Sequence, residues 1–270
     1  MNPSAVVAFL IALAIVGESA TVAALSIDPL CGGSAAPQSV EGTEPRAELV
    51  RLPEPVGLAR LVRPAVASLT PLVIVLPDAL SEDARSEPYV ESLLRRGFAA
   101  LVLGMGEDLD SPTHAVEPAA SSAALGVALA WATRNGFDLA ATAALGFGLG
   151  GRSVLAGAAG RPAAALYPGC SGLKPPAAEP ALILQGAAAA QDCVAMPTST
   201  GLTPRLLPGA GHAWDAPGAV WPNSGPVLPN PAGGGRLRAR ADLVVTVEAA
   251  EVVADWLAAA LAPRVRSAPQ

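Results

Sequence analysis

Residues Ala143 to Leu155 read Ala-Ala-Leu-Gly-Phe-Gly-Leu-Gly-Gly-Arg-Ser-Val-Leu, and no other stretch restricts the possible folds as sharply. Small apolar residues lead into Gly146, Gly148, Gly150 and Gly151, and a helix-compatible run follows. The chain therefore leaves a buried strand, turns hard and starts a helix within a few residues. Two chemistries use such a corner. One is the G-x-S-x-G nucleophile elbow, in which a strained turn presents a serine. The other is the G-x-G-x-x-G turn, in which glycines let the backbone close on a pyrophosphate. Gly146, Gly148 and Gly151 satisfy the second pattern, whereas the first requires Gly148 to stand where a nucleophile belongs.

The order of elements around the corner decides between them. Arg46 to Leu52 and Leu58 to Val62 read as short strands, and Leu72 to Leu76 is a continuous apolar run typical of a strand buried on both faces. Tyr89, Val90, Leu93 and Leu94 share a helical face after Pro88, and Gly97 suits the stop. Phe98 to Leu103 is a strand, a helix capped by Ser121 or Ser122 ends at Asn135-Gly136, and Ala140 to Leu145 enters the corner. A helix to about Ala159, strands at Ala163 to Tyr167, Ala181 to Leu184 and Arg205 to Leu207, a long loop from Ala216 to Gly235, and a helix from Thr246 to Ala262 stopped by Pro263 complete the chain. Strand and helix alternate, which predicts an α/β class with a mostly parallel central sheet and helices on both faces. A dinucleotide turn belongs after the first strand, with an acidic residue about 20 residues on. Here several strands precede the corner, and the next strand ends in Tyr167-Pro168-Gly169-Cys170 without a carboxylate. NAD binding through Gly146, Gly148 and Gly151 is therefore the lesser alternative.

The nucleophile order fits better, because a histidine follows the last predicted strand in Pro208-Gly209-Ala210-Gly211-His212-Ala213-Trp214-Asp215. Together with Gly146-Phe147-Gly148-Leu149-Gly150-Gly151, this stretch resembles the dienelactone hydrolase family of α/β hydrolases, which shows G-x-C-x-G-G at its elbow and a P-G-x-x-H-A-F-D-like segment at its histidine. The resemblance covers most of Leu72 to Leu261. It implies an α/β-hydrolase fold over residues 46–262, His212 as catalytic base, and a pocket for a small-molecule carboxylate, ester or lactone, with no cofactor and no metal. It also implies an oxyanion hole built from the N–H groups of Leu149 and of Ala79 or its neighbour.

Two departures from the family change the expected activity. Gly148 has no side chain with which to attack a carbonyl. Gly186 is followed by Ala187, Ala188 and Ala189 where the family places an aspartate, and Asp192 is the possible acid three positions further on. An elbow holds its central residue in a sparsely populated backbone region at a cost of about 1–3 kcal/mol, which glycine removes. Gly148 thus fits an abandoned catalytic centre that keeps its binding donors. Serine or cysteine at 148 is expected to restore weak activity only if Asp192 or another acid reaches His212. Alternatives are a relocated nucleophile at Cys170, or water activated by His212.

The remaining candidates carry a bland reading beside the functional one. Asp78 is equally a pocket carboxylate and a turn former. Trp214 is a pocket candidate whose simplest role, like that of Trp131 and Trp221, is packing, and His114 reads as a solvated loop residue. Ser153 sits more than a turn into the helix and is structural. Cys170 and Cys193 follow successive strands and are expected to form a disulfide, leaving Cys31 free.

An apolar run from Ala5 to Gly17 followed by small residues near Ala24 reads as a signal peptide over residues 1–24, although no Lys or Arg precedes it. Residues 25–45 then form an exposed lead-in and 263–270 a tail. Export to the periplasm or medium is expected, with no membrane contact after cleavage. A net charge of −6 argues against a nucleic-acid partner.

Overall fold

The computed structural model describes residues 44–65, 70–79, 84–104, 118–173, 180–187, 201–217 and 224–265. The expected signal segment, His114, Asp192, Cys193, Cys31 and Trp221 lie outside these residues.

The secondary structure follows the apolar patterning closely. Strands β1 (Arg46–Arg51), β2 (Leu58–Arg63), β3 (Leu72–Leu76), β4 (Ala99–Leu103), β5 (Thr142–Phe147), β6 (Ala163–Leu166), β7 (Ala181–Gly186) and β8 (Leu202–Leu207) form one sheet in the order β1-β2-β4-β3-β5-β6-β7-β8. The β1–β2 and β2–β4 pairs are antiparallel, and every pair from β4 to β8 is parallel. β3, β4, β5, β6 and β7 are buried at every position, as expected for strands covered on both faces.

Among the described residues that cover comes from α1 (Glu87–Arg95), α2 (Pro118–Arg134), α3 (Gly148–Gly157) and α4 (Leu243–Val265). α1 packs with α4, and α2 with α3. One core therefore joins Tyr89 and Leu93 of α1 to Val253 and Leu257 of α4, and the other joins Leu125 and Ala128 of α2 to Val154 and Leu155 of α3. Each fully buried aliphatic side chain contributes about 1.5–3 kcal/mol. The α1–α4 contact carries a charged rim in which Arg96 Nη2 meets Glu251 at 2.7 Å and Asp255 at 2.6 Å. Hydrogen bonds from Arg96, Ser92 and Arg95 hold the Glu251 carboxyl down at about 2, but at this exposed rim they add little to stability.

The differences from the sequence reading have local causes. α2 begins at Pro118 rather than at a Ser121 or Ser122 cap, and Ser121 is buried inside it; proline at a first position presets the helical φ. α4 starts at Leu243, where Asp242 Oδ1 accepts from Val245 N–H at 3.1 Å, and runs through Pro263 to Val265. β5 reaches Phe147, so the turn is tighter than expected and α3 begins at Gly148 itself. Within and beyond the expected long loop, Val227–Pro229 (β9) pairs with Arg236–Arg238 (β10) as a small separate hairpin.

Candidate functional site

The site lies where the C-terminal ends of β3, β5 and β6 meet the loop after β8. At the corner, Gly148 has φ +48°, the left-handed conformation expected of an elbow's central residue. A Cβ on Gly150 would stand 2.3 Å from the Pro77 carbonyl oxygen, so only glycine lets the first turn of α3 press against the end of β3. That approach brings the N–H groups of Leu149 and Ala79 together.

Both donors are taken by the protein itself. Asp78 Oδ1 accepts from Ala79 N–H at 2.7 Å and from Leu149 N–H at 3.1 Å, and Asp78 is 1% exposed. Its other oxygen, Oδ2, accepts from Arg85 Nη1 at 3.0 Å, and the Arg85 side chain is also buried. The N-terminus of α3 reinforces the arrangement, since its N–H groups and dipole favour negative charge. Hydrogen bonds to a charged acceptor contribute about 1.5–3 kcal/mol each. Gly148 makes this placement possible: a Cβ at 148 would lie 2.1 Å from Asp78 Oδ1. The carboxylate therefore fills the space that an elbow side chain would use.

Behind Asp78 runs a buried polar chain. Arg85 Nη1 also donates to Tyr167 Oη at 3.4 Å, Tyr167 Oη donates to Asp215 Oδ1 at 2.6 Å, and Tyr89 Oη donates to Asp215 Oδ2 at 2.8 Å. Trp214 Nε1 donates to Tyr89 Oη at 3.1 Å. Trp214 is fully buried and stands edge-on to Tyr167, with centroids 5.0 Å apart. Tyr167 and Ala213 both have positive φ, 39° and 47°, at a cost of about 1–3 kcal/mol each. Such strain is tolerated where the surrounding packing fixes the chain, as the ring contacts of Tyr167 do here.

His212 is 7% exposed, and its ring lies edge-on to Tyr167 at 5.2 Å. Its Nε2 is buried without a hydrogen-bond partner among the described residues. Burial lowers its pKa to about 4, with Asp78 opposing and Arg85 adding to the shift, so the imidazole is neutral near pH 7. Burial raises Asp215 to about 6 against the pull of Arg85 and the two tyrosine hydroxyls. The tyrosines are pushed well above their ordinary value by burial and by Asp215, and they remain donors.

These two shifts act in opposite directions on stability. His212 binds a proton less readily in the folded state, so its contribution is complete above about pH 6.5 and is lost as pH falls towards 4. Asp215 binds a proton more readily when folded, so folding is favoured as pH falls from about 6 towards its ordinary value. Each amounts to about 3 kcal/mol, and between pH 6 and 4 they largely cancel. Between those pH values His212→Ala is expected to gain stability relative to the native protein as acid is added, and Asp215→Asn to lose it. Melting temperatures across the range test this, and parallel profiles for the three proteins would contradict it.

The other candidates are placed as follows. Ser153 is buried, and its Oγ donates to Leu149 O at 3.2 Å, the structural role expected. Cys170 is buried, 6% exposed, in the segment after β6. The corner's glycines allow close packing, since a Cβ on Gly146 would stand 2.3 Å from the Gly150 carbonyl oxygen. No cluster of three or more metal-ligating side chains occurs among the described residues. Arg85, Tyr89, Tyr167 and Asp215 were not among the predicted site residues. Asp215 stood inside the histidine motif, and its acidic character in so apolar a stretch was the available signal.

The architecture is that of known hydrolases. A dienelactone hydrolase from Anabaena variabilis is 18% identical, with 80% of this chain and 98% of that chain covered at a TM-score of 0.54. A dienelactone hydrolase-like promiscuous phosphotriesterase from metagenomic libraries is 16% identical, with 80% and 98% covered and a TM-score of 0.53. A sugar hydrolase from Lactococcus lactis is 12% identical, with 81% and 100% covered and a TM-score of 0.56. No protein-family model matches the sequence, and no curated protein matches it. At these identities the likeness establishes the fold, which is the α/β-hydrolase fold.

Proposed function

We propose that this protein is a dienelactone hydrolase-like α/β hydrolase in which hydrolysis of esters and lactones through an elbow nucleophile has been lost, while a binding site for a small carboxylate, ester or lactone is kept. The observation that carries this reading is the Asp78 carboxylate, seated on the Ala79 and Leu149 N–H groups beside a glycine elbow. An acyl substrate needs those donors for the negative charge that develops on its carbonyl oxygen, and losing one such donor in a hydrolase slows turnover by about 100- to 1,000-fold. With both donors engaged and no side chain at 148, the two main sources of acyl-transfer catalysis are absent. Native protein screened against p-nitrophenyl esters and small lactones, beside Gly148→Ser and Gly148→Cys, is expected to show negligible turnover. Robust native hydrolysis would reject the reading.

Export and a Cys170–Cys193 bridge belong to the same proposal. Cleavage is expected after about Ala24, checked by N-terminal sequencing of exported protein. Mass spectrometry of a non-reduced digest is expected to recover Cys170 linked to Cys193, leaving Cys31 alkylatable. A bridge to Cys31 would reassign the pair.

A further inference from the structure

We infer that the cradle is a displaceable binding site for small hydroxy-carboxylates, in which Asp78 acts as the tethered competitor and His212 receives the ligand's hydroxyl. The inference rests on the carboxylate-binding part of the proposed function and adds the ligand's second group and the element that controls access.

Three observations converge on it. The donors around Asp78 make a complete carboxylate-recognition set, with two backbone N–H groups on one oxygen and a buried guanidinium on the other. A free carboxylate would find the same three bonds there, so exchange leaves the cradle satisfied. Second, Gly148 puts no side chain between Asp78 and the corner, whereas any Cβ would collide with that carboxylate. Third, His212 Nε2 is buried and unpartnered among the described residues, a condition that polar groups in folded proteins rarely keep. His212 stands against Tyr167, whose hydroxyl takes a bond from the same Arg85 that holds Asp78, so the imidazole belongs to this site.

The chemistry of the orphan nitrogen selects the second group. In a neutral imidazole Nε2 is either donor or acceptor according to the tautomer, and a hydroxyl answers both because it can donate and accept. A carboxylate that also carries a hydroxyl satisfies the cradle and the histidine together. Opening a lactone yields this combination, which ties the ligand class to the proposed family. Asp78 controls occupancy because it is covalently held beside the cradle, and a free ligand must compete with its effective concentration.

The test compares glycolate and acetate binding by calorimetry and by thermal shift in native protein, Asp78→Ala and the double variant Asp78→Ala/His212→Ala. Removing the tethered competitor is expected to tighten glycolate by about tenfold or more, and glycolate is expected to raise the melting temperature of Asp78→Ala. Glycolate should exceed acetate in Asp78→Ala, and that preference should vanish in the double variant. Should Asp78→Ala fail to fold, Asp78→Asn keeps an uncharged, weaker competitor on the same donors and is expected to tighten glycolate in the same direction. Equal affinity in native and variant protein, or no saturable binding to the variant, would overturn the displaceable site. Equal glycolate and acetate affinities in Asp78→Ala would overturn the role of His212. Native ester turnover would reject the proposed function and leave these affinity comparisons intact.

Discussion

Replacing Asp78 by alanine is expected to cost about 3–5 kcal/mol of folding stability, because it removes one partner of a buried ion pair. The side chain of Arg85 is 4% exposed and that of Asp78 is 1% exposed, so solvent screens neither. The variant also strips the Ala79 and Leu149 N–H groups of their shared acceptor. For a domain of this size the loss corresponds to about 10 °C in melting temperature. Urea unfolding measures it directly, and a change below about 1 kcal/mol would mean that the pair is far more solvated than its burial implies.

The second large effect comes from the elbow. Gly148→Ser is expected to destabilise the protein by about 2–4 kcal/mol, from the strain of a side chain at φ +48° and from a Cβ placed 2.1 Å from Asp78 Oδ1. The two positions are coupled because the new side chain and the old carboxylate claim the same space. Asp78→Ala/Gly148→Ser should therefore lose less than the sum of the single variants, with an interaction of at least about 1 kcal/mol. Any ester hydrolysis recovered should appear in the double variant and not in Gly148→Ser alone. Strict additivity would show that residue 148 and Asp78 do not contend for one place. A serine at the elbow is thus insufficient by itself, and the acid that must orient His212 is a further requirement.

What could be read from the sequence was governed by the range of the interactions involved. The β3 strand from Leu72 to Leu76 was legible residue for residue because burial on both faces leaves an uninterrupted apolar run. The corner was legible because tight turns restrict residue type, whereas the Ala79 and Leu149 donors were named only through the family resemblance. Asp78 was visible only as an ambiguous residue, since its meaning depends on Leu149, 71 positions away, and on a side chain that residue 148 lacks. Arg85 lies in a 3₁₀ turn with no periodic signal, and the Tyr167–Asp215 contact joins residues 48 apart. The extra length of β8 was missed because four of its six residues are exposed, which hides the pattern of a buried strand. The β9–β10 hairpin was hidden by proline and glycine flanking two three-residue strands.

Amide hydrogen exchange at Ala79 and Leu149, followed by NMR in labelled protein, tests most directly whether the carboxylate of Asp78 holds the cradle. Both amides are expected to be strongly protected in the native protein and to exchange rapidly in Asp78→Ala, while Val154 in the interior of α3 stays protected in each. Fast exchange of both amides in the native protein would contradict the account.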